Sequence, residues 1–142
     1  MSAEGDCFYC TKDHRLQELM TEVCCLNKST VYLFRDQTFK GRCVVACNKH
    51  LTELFQFKTS ELHEYMDEVA KVAEVVNNIF KPDKITYAIF GDLVSHIHYH
   101  IVPKYKNGPL WGEFFCSRPL PVKKLAEKEF EELQDAIKSG LR

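Results

Sequence analysis

The amino-acid sequence predicts an α+β domain built on a mainly antiparallel sheet. Three observations lead there. Two runs of strand-forming residues are separated only by turn formers, which is how antiparallel neighbours are joined. One long stretch repeats apolar residues at helical spacing. And strands and helices follow one another without the regular rhythm of βαβ units that a parallel sheet requires. At 142 residues, with 45% hydrophobic and 27% charged side chains, the chain suits one globular domain spanning 1–142, without repeats or linkers.

The elements follow in order. Residues 1–12 read as a short loop holding Cys7-Phe8-Tyr9-Cys10. Asp13 is a good N-cap for a helix over 14–22, where Leu16, Leu19 and Met20 share one face. Thr30-Val31-Tyr32-Leu33-Phe34 and Arg42-Cys43-Val44-Val45-Ala46 are strands, and Asp36-Gln37-Thr38-Phe39-Lys40-Gly41 supplies the turn of a hairpin. Asn48, Lys49 and His50 follow, then a short helical stretch. The long helix opens at Ser60 as N-cap, carries Glu61 and Glu64 in its first turns and stops before Pro82. Its Leu62, Met66, Val69, Val72, Ala73, Val76, Ile79 and Phe80 form a stripe for the core. Ile85–Phe90 is a strand, Gly91-Asp92-Leu93-Val94-Ser95 a loop, and the run from His96 onward another strand. Residues 123–138 form a charged amphipathic helix on Leu125, Phe130, Leu133 and Ile137.

Net charge is −1, so no basic field exists to hold DNA or RNA, and no apolar run is long enough to span a membrane. Met1-Ser2-Ala3-Glu4-Gly5-Asp6 lacks the basic start and apolar core of a signal peptide, so a cytoplasmic location is expected. Seven cysteines, an odd count, then read as reduced thiols, with Cys24, Cys25, Cys43 and Cys47 as small buried hydrophobes.

The chemistry concentrates in Ser95-His96-Ile97-His98-Tyr99-His100-Ile101-Val102-Pro103-Lys104, which contains three of the six histidines. Ile97, Tyr99, Ile101 and Val102 favour a strand, which places the three imidazoles on one face. At a rise of about 3.3 Å per residue, neighbouring histidines stand about 6.6 Å apart and the outer two about 13 Å. His96 and His100 therefore cannot share one ion, and the row must divide its tasks.

His96-Ile97-His98-Tyr99-His100-Ile101-Val102 resembles the signature of the histidine triad (HIT) family, and the order of elements from Cys7 to about Lys104 follows it. The resemblance implies a HIT-like antiparallel sheet with a long helix and a C-terminal helix, the region from about 105 being the variable part. It also implies a homodimer, and a nucleotide hydrolase or transferase that attacks the α-phosphate of a nucleotide conjugate through a nucleotidyl-histidine intermediate. Carried over by position, His98 is the nucleophile and His100 contacts the phosphoryl oxygens or the leaving group. A neutral imidazole with one nitrogen held by a carbonyl suits His98, and the 91–95 loop is the expected source of that carbonyl. Asp36 is matched to a ribose-binding acid, and Phe8, Leu33 and Phe34 to the base pocket.

Zinc-containing HIT proteins and the related galactose-1-phosphate uridylyltransferases are similar in a second respect. The resemblance implies one structural zinc held by Cys7, Cys10, His50 and His96, a closed Cys₂His₂ set. The chain departs from the family where a Gly-Gln-Ser-Val type run precedes the triad. Its glutamine and phosphate-binding serine are missing, Asp92 stands in their place, and Ser95 is the nearest substitute. Trp111 lies in the variable region. Two other readings stand beside the enzyme: a noncatalytic nucleotide-binding or scaffold module, and a metalloenzyme with catalytic zinc on the His-x-His pair.

Overall fold

The computed structural model describes residues 4–142, so the expectation drawn from the first three residues lies outside them. Five strands, β1 (Met20–Cys25), β2 (Ser29–Phe34), β3 (Cys43–Cys47), β4 (Lys84–Ile89) and β5 (His98–Lys104), form one sheet in the order β1-β2-β3-β5-β4. Every neighbouring pair is antiparallel. The helices are α1 (Phe8–Thr11), α2 (His14–Leu19), α3 (Thr59–Phe80) and α4 (Glu127–Gly140). Among the described residues no helix is long and apolar enough to cross a membrane.

Strand periodicity separates two faces. Val31, Leu33, Cys43, Val45 and Ile101 point to the side covered by α3 and α4, where they pack with Tyr65, Val69, Val72, Val76, Phe130 and Ile137. Tyr65 also donates its hydroxyl to the carbonyl of Val45 at 2.8 Å. Two close approaches use glycine. A Cβ on Gly140 would stand 2.6 Å from Val75 Cγ1, and one on Gly41, whose φ is +95°, would stand 2.6 Å from the Phe80 ring. The opposite face carries Tyr32, Val44 and Ala46, which pack under Cys7, Tyr9, Leu16 and Met20 of the N-terminal segment.

Several boundaries differ from the sequence reading. The helix expected over 14–22 ends at Leu19, and Met20–Cys25 is instead the edge strand β1, paired with β2 through Met20↔Phe34 and Cys25↔Thr30. Thr21 and Val23 favour extended backbone, and β2 offers the segment a ladder, interrupted by a register shift between Glu22 and Cys24. Cys10 lies in a one-turn helix, α1, rather than a loop. Helix α3 starts at Thr59, one residue before the expected cap, with Lys58 in extended conformation at the N-cap. Helix α4 is displaced to Glu127–Gly140 because residues 121–123 run extended against the β2–β3 turn, with Gln37 N–H donating to Lys123 O at 2.8 Å. Cys43 and Cys47 are buried as expected, whereas Cys24 is half-buried and Cys25 exposed on the edge strand.

Candidate active site

The triad strand crosses the face opposite the long helix. His98 and His100 on β5 stand across from Ala46 and Val44 of β3, and His100 also faces Ala88 of β4. Small neighbours leave space above the imidazoles. A cavity of about 390 Å³ opens there, walled by His98, His100, Arg42 and a set of aromatic rings, Phe8, Tyr9, Phe34, Phe90 and Phe115, with residues 91–94 and Cys116 at its rim. That size lies within the range of small-ligand sites.

Each imidazole has one nitrogen fixed. His98 Nδ1 lies 2.6 Å from the carbonyl oxygen of His96, which can only accept. Nδ1 therefore carries the proton and Nε2 keeps its lone pair. The carbonyl comes from His96, two residues upstream and just before β5, and not from the 91–95 loop as the sequence suggested. His96 Nε2 lies 2.7 Å from the carbonyl of Cys47, so His96 is protonated at Nε2 and its lone pair is on Nδ1. Burial holds both His96 and His98 below the ordinary imidazole range, which keeps them neutral near pH 7. Burial, with the Arg42 guanidinium as the second cause, pushes His100 down to about 3.

Behind this row lies a second cluster. The ligand atoms of Cys7, Cys10, His50 and His96 all fall within 4.8 Å of one another. His96 Nδ1 is 3.2 Å from Cys7 Sγ, 3.6 Å from Cys10 Sγ and 3.2 Å from His50 Nδ1, and His50 Nδ1 is 3.2 Å from Cys10 Sγ. A tetrahedral zinc with ordinary bond lengths sets its nitrogen and sulfur ligands about 3.3–3.8 Å apart. The separations of 3.2–3.6 Å lie close to the edges of that polyhedron, and the carbonyl on His96 Nε2 is the outer-shell partner a metal-bound histidine ordinarily has. Four protein ligands leave no open position. Tyr9 separates the two sites, its ring centroid 5.3 Å from that of His96 and 4.9 Å from that of His98. The His96–His98 pair thus offers no shared catalytic ion: His98 Nδ1 is bound to a carbonyl and His96 Nδ1 faces the thiols.

Not every expected residue reaches the cavity. Leu33 is fully buried on the helix side of the sheet, because odd positions of β2 face α3; the base-pocket expectation is corrected there. Phe8 and Phe34 do wall the cavity. Ser95 is half-buried and is not part of the wall, so it does not replace the missing serine. Asp36 holds the β2–β3 turn: its Oδ1 accepts from Thr38 N–H at 3.1 Å, Thr38 Oγ1 at 2.7 Å and Lys123 N–H at 3.0 Å. Arg42, Tyr9 and Phe115 were not singled out from sequence. Arg42 shares the parity of Val44 and Ala46, which is the signal that places it on this face.

The sequence model of the HIT domain matches residues 17–107, and the chain belongs to that family. It is 27% identical over 86 residues to Protein hit of Bacillus subtilis, a match covering 57% of this chain and 59% of that protein. The chain spans about half the length of the curated relatives it matches, 59% of one and 55% of another. Among solved structures, a histidine triad protein from Bradyrhizobium japonicum superposes with TM-score 0.80 at 20% identity, over 92% of this chain and 96% of that one. A Zn-bound histidine triad family protein from Mycobacterium smegmatis gives 0.67 at 17% identity over 98% and 95%. Plasmodium falciparum diadenosine triphosphate hydrolase, in complex with Cyclomarin A, gives 0.63 at 17% identity over 83% and 74%. These structural likenesses establish the HIT fold, a mixed α+β arrangement on a five-stranded antiparallel sheet.

Proposed function

We propose that the chain is a nucleotide hydrolase or transferase acting at the α-phosphate of a nucleoside phosphoramidate, dinucleoside polyphosphate or similar conjugate. The observation that carries this is the 2.6 Å bond from His98 Nδ1–H to His96 O, which leaves a neutral imidazole with its Nε2 lone pair in the wall of the cavity. In the first step Nε2 attacks phosphorus as the bond to the leaving group breaks, and the leaving group departs with the electron pair and takes up a proton from solvent. In the second, water attacks the same phosphorus and gives a proton back to solvent, the P–N bond breaks with its electron pair returning to Nε2, and the nucleoside monophosphate leaves with His98 neutral again. His100 contacts the phosphoryl oxygens or the leaving group, where a donor gains strength as charge develops. Phe8 and Phe34 line the base pocket, whereas Asp36 stays in the β2–β3 turn, outside the cavity wall. A Zn²⁺ held by Cys7, Cys10, His50 and His96 is structural, tying α1 and the segment after β3 to the start of the triad strand. The active species is a homodimer, so sedimentation as a 16.5 kDa monomer contradicts that part of the reading.

Trapping the intermediate tests the core claim. A substrate labelled with ³²P at the α-phosphate should leave an acid-labile, base-stable adduct on the wild type and none on His98→Ala. Tight nucleotide binding by the wild type with no adduct and no turnover replaces this reading with the noncatalytic one.

A further inference from the structure

The loop before the triad strand lacks the serine that the family resemblance implies for phosphate, and Ser95 does not reach the cavity. A different residue stands where an anion would be met. Arg42 ends the β2–β3 turn, its carbonyl accepting from Phe34 N–H at 3.0 Å. Its guanidinium lies 3.9 Å over the Phe34 ring and 5.0 Å from that of Phe115. It makes one side-chain hydrogen bond among the described residues, from Nη2 to His100 Nδ1 at 3.3 Å. No carboxylate forms an ion pair with it there, and its Nε is buried without a partner. The only other formal charge in the cavity wall is Asp92, exposed at the rim. Burial lowers the Arg42 pKa to about 10, so the group remains cationic at neutral pH.

Asp36 acts on it electrostatically but forms no ion pair with it, and a desolvated guanidinium with unused donors and no paired carboxylate is an incomplete arrangement, because removing a charge from water costs free energy that only a close opposite charge recovers well. Its planar fork matches two oxygens of a phosphoryl group. The hydrogen bond it already makes has a second consequence. A guanidinium can only donate, so His100 Nδ1 must accept and the ring's hydrogen must reside on Nε2. We infer that Arg42 binds the phosphoryl oxygens of the substrate and, through Nδ1, sets His100 in the Nε2–H form, in which it is a hydrogen-bond donor. This rests on the nucleotide reading above. Arg42 then supplies the positive charge that the altered loop does not.

The test compares binding of nucleoside 5′-monophosphates with binding of the matching uncharged nucleosides, by calorimetry, for wild type, Arg42→Gln and Arg42→Lys. Losing a charge-assisted contact should weaken the monophosphate roughly 10- to 100-fold in Arg42→Gln. The nucleoside, which has no phosphate to lose, should bind within about twofold of wild type, which also shows that the variant is folded. Arg42→Lys keeps the charge without the fork and should fall between. In ¹⁵N-histidine-labelled wild type without ligand, His100 should show an unprotonated Nδ1 and a protonated Nε2, and Arg42→Gln should lose that strict preference. Equal monophosphate affinity in wild type and Arg42→Gln overturns the phosphate role, and a wild-type His100 protonated at Nδ1 overturns the tautomer role. If wild type binds no nucleotide at all, the nucleotide reading fails and the phosphate role falls with it. The tautomer role is decided by the spectrum alone.

Discussion

His100 should make the fold acid-sensitive in a way that can be isolated. Its ring is partly buried beside a permanent cation, and its pKa stands at about 3 against an ordinary value of 6.5. Burial is the larger cause and Arg42 the second. In the unfolded chain the same imidazole titrates near its ordinary value, so between those two limits the unfolded state binds more protons than the folded one. Stability then rises with pH across that window, is complete above about 6.5, and is lost progressively as pH falls. At pH 5 the unfolded imidazole has gained about 1.5 pH units of protonation free energy that the folded one lacks. At 1.36 kcal/mol per unit this is about 2 kcal/mol from His100 alone. Urea unfolding at pH 7.5 and pH 5, for wild type and His100→Asn, isolates the contribution. All other groups are common to both proteins and cancel in the difference. Wild type should lose about 2 kcal/mol more than the variant between the two pH values. Equal losses would refute the claim that the folded protein keeps His100 neutral.

Two other perturbations address the metal and the frame. Cys10→Ser should reduce bound zinc from one ion per chain to substoichiometric and lower the thermal midpoint, both read on one sample by elemental analysis and calorimetry. A metal-free wild type of unchanged midpoint would count against a structural zinc. Gly41→Ala places a Cβ 2.6 Å from the Phe80 ring at a φ of +95°, and should cost about 1–3 kcal/mol in urea unfolding without altering zinc content.

Much of this molecule is legible in its sequence because period governs it. The 3.6-residue repeat of Val69, Val72 and Val76 specifies α3, and the two-residue repeat of His98 and His100 specifies one face of β5. What periodicity does not report is competition between neighbours. Leu16, Leu19 and Met20 fit a helix up to the point where β2 offers Met20–Cys25 a ladder, and only the tertiary partner decides where one gives way to the other. The same applies at the site. Cys7, Cys10, His50 and His96 were traceable through a family pattern, but Arg42 has no motif. It could have been found only by carrying the parity of Val44 and Ala46 one step back into the turn.

Parity alone does not explain why three chemically identical side chains do different work. A strand can put three imidazoles on one face, but it cannot tell them apart; their second partners do that. The Cys47 carbonyl accepts a hydrogen bond from His96 Nε2–H and leaves its Nδ1 toward two thiols and His50. The His96 carbonyl accepts a hydrogen bond from His98 Nδ1–H and leaves Nε2 free. At His100 the partner is a donor, Arg42, and the hydrogen is left on Nε2. Two carbonyls therefore make two lone pairs available, one toward the thiol cluster and one toward the cavity, while one guanidinium makes a donor. Exchanging Arg42 for an acceptor would move the His100 hydrogen to Nδ1 and give the cavity a second lone pair in place of a donor. The triad pattern would be unchanged in sequence, and its third member would no longer be able to stabilise an oxyanion.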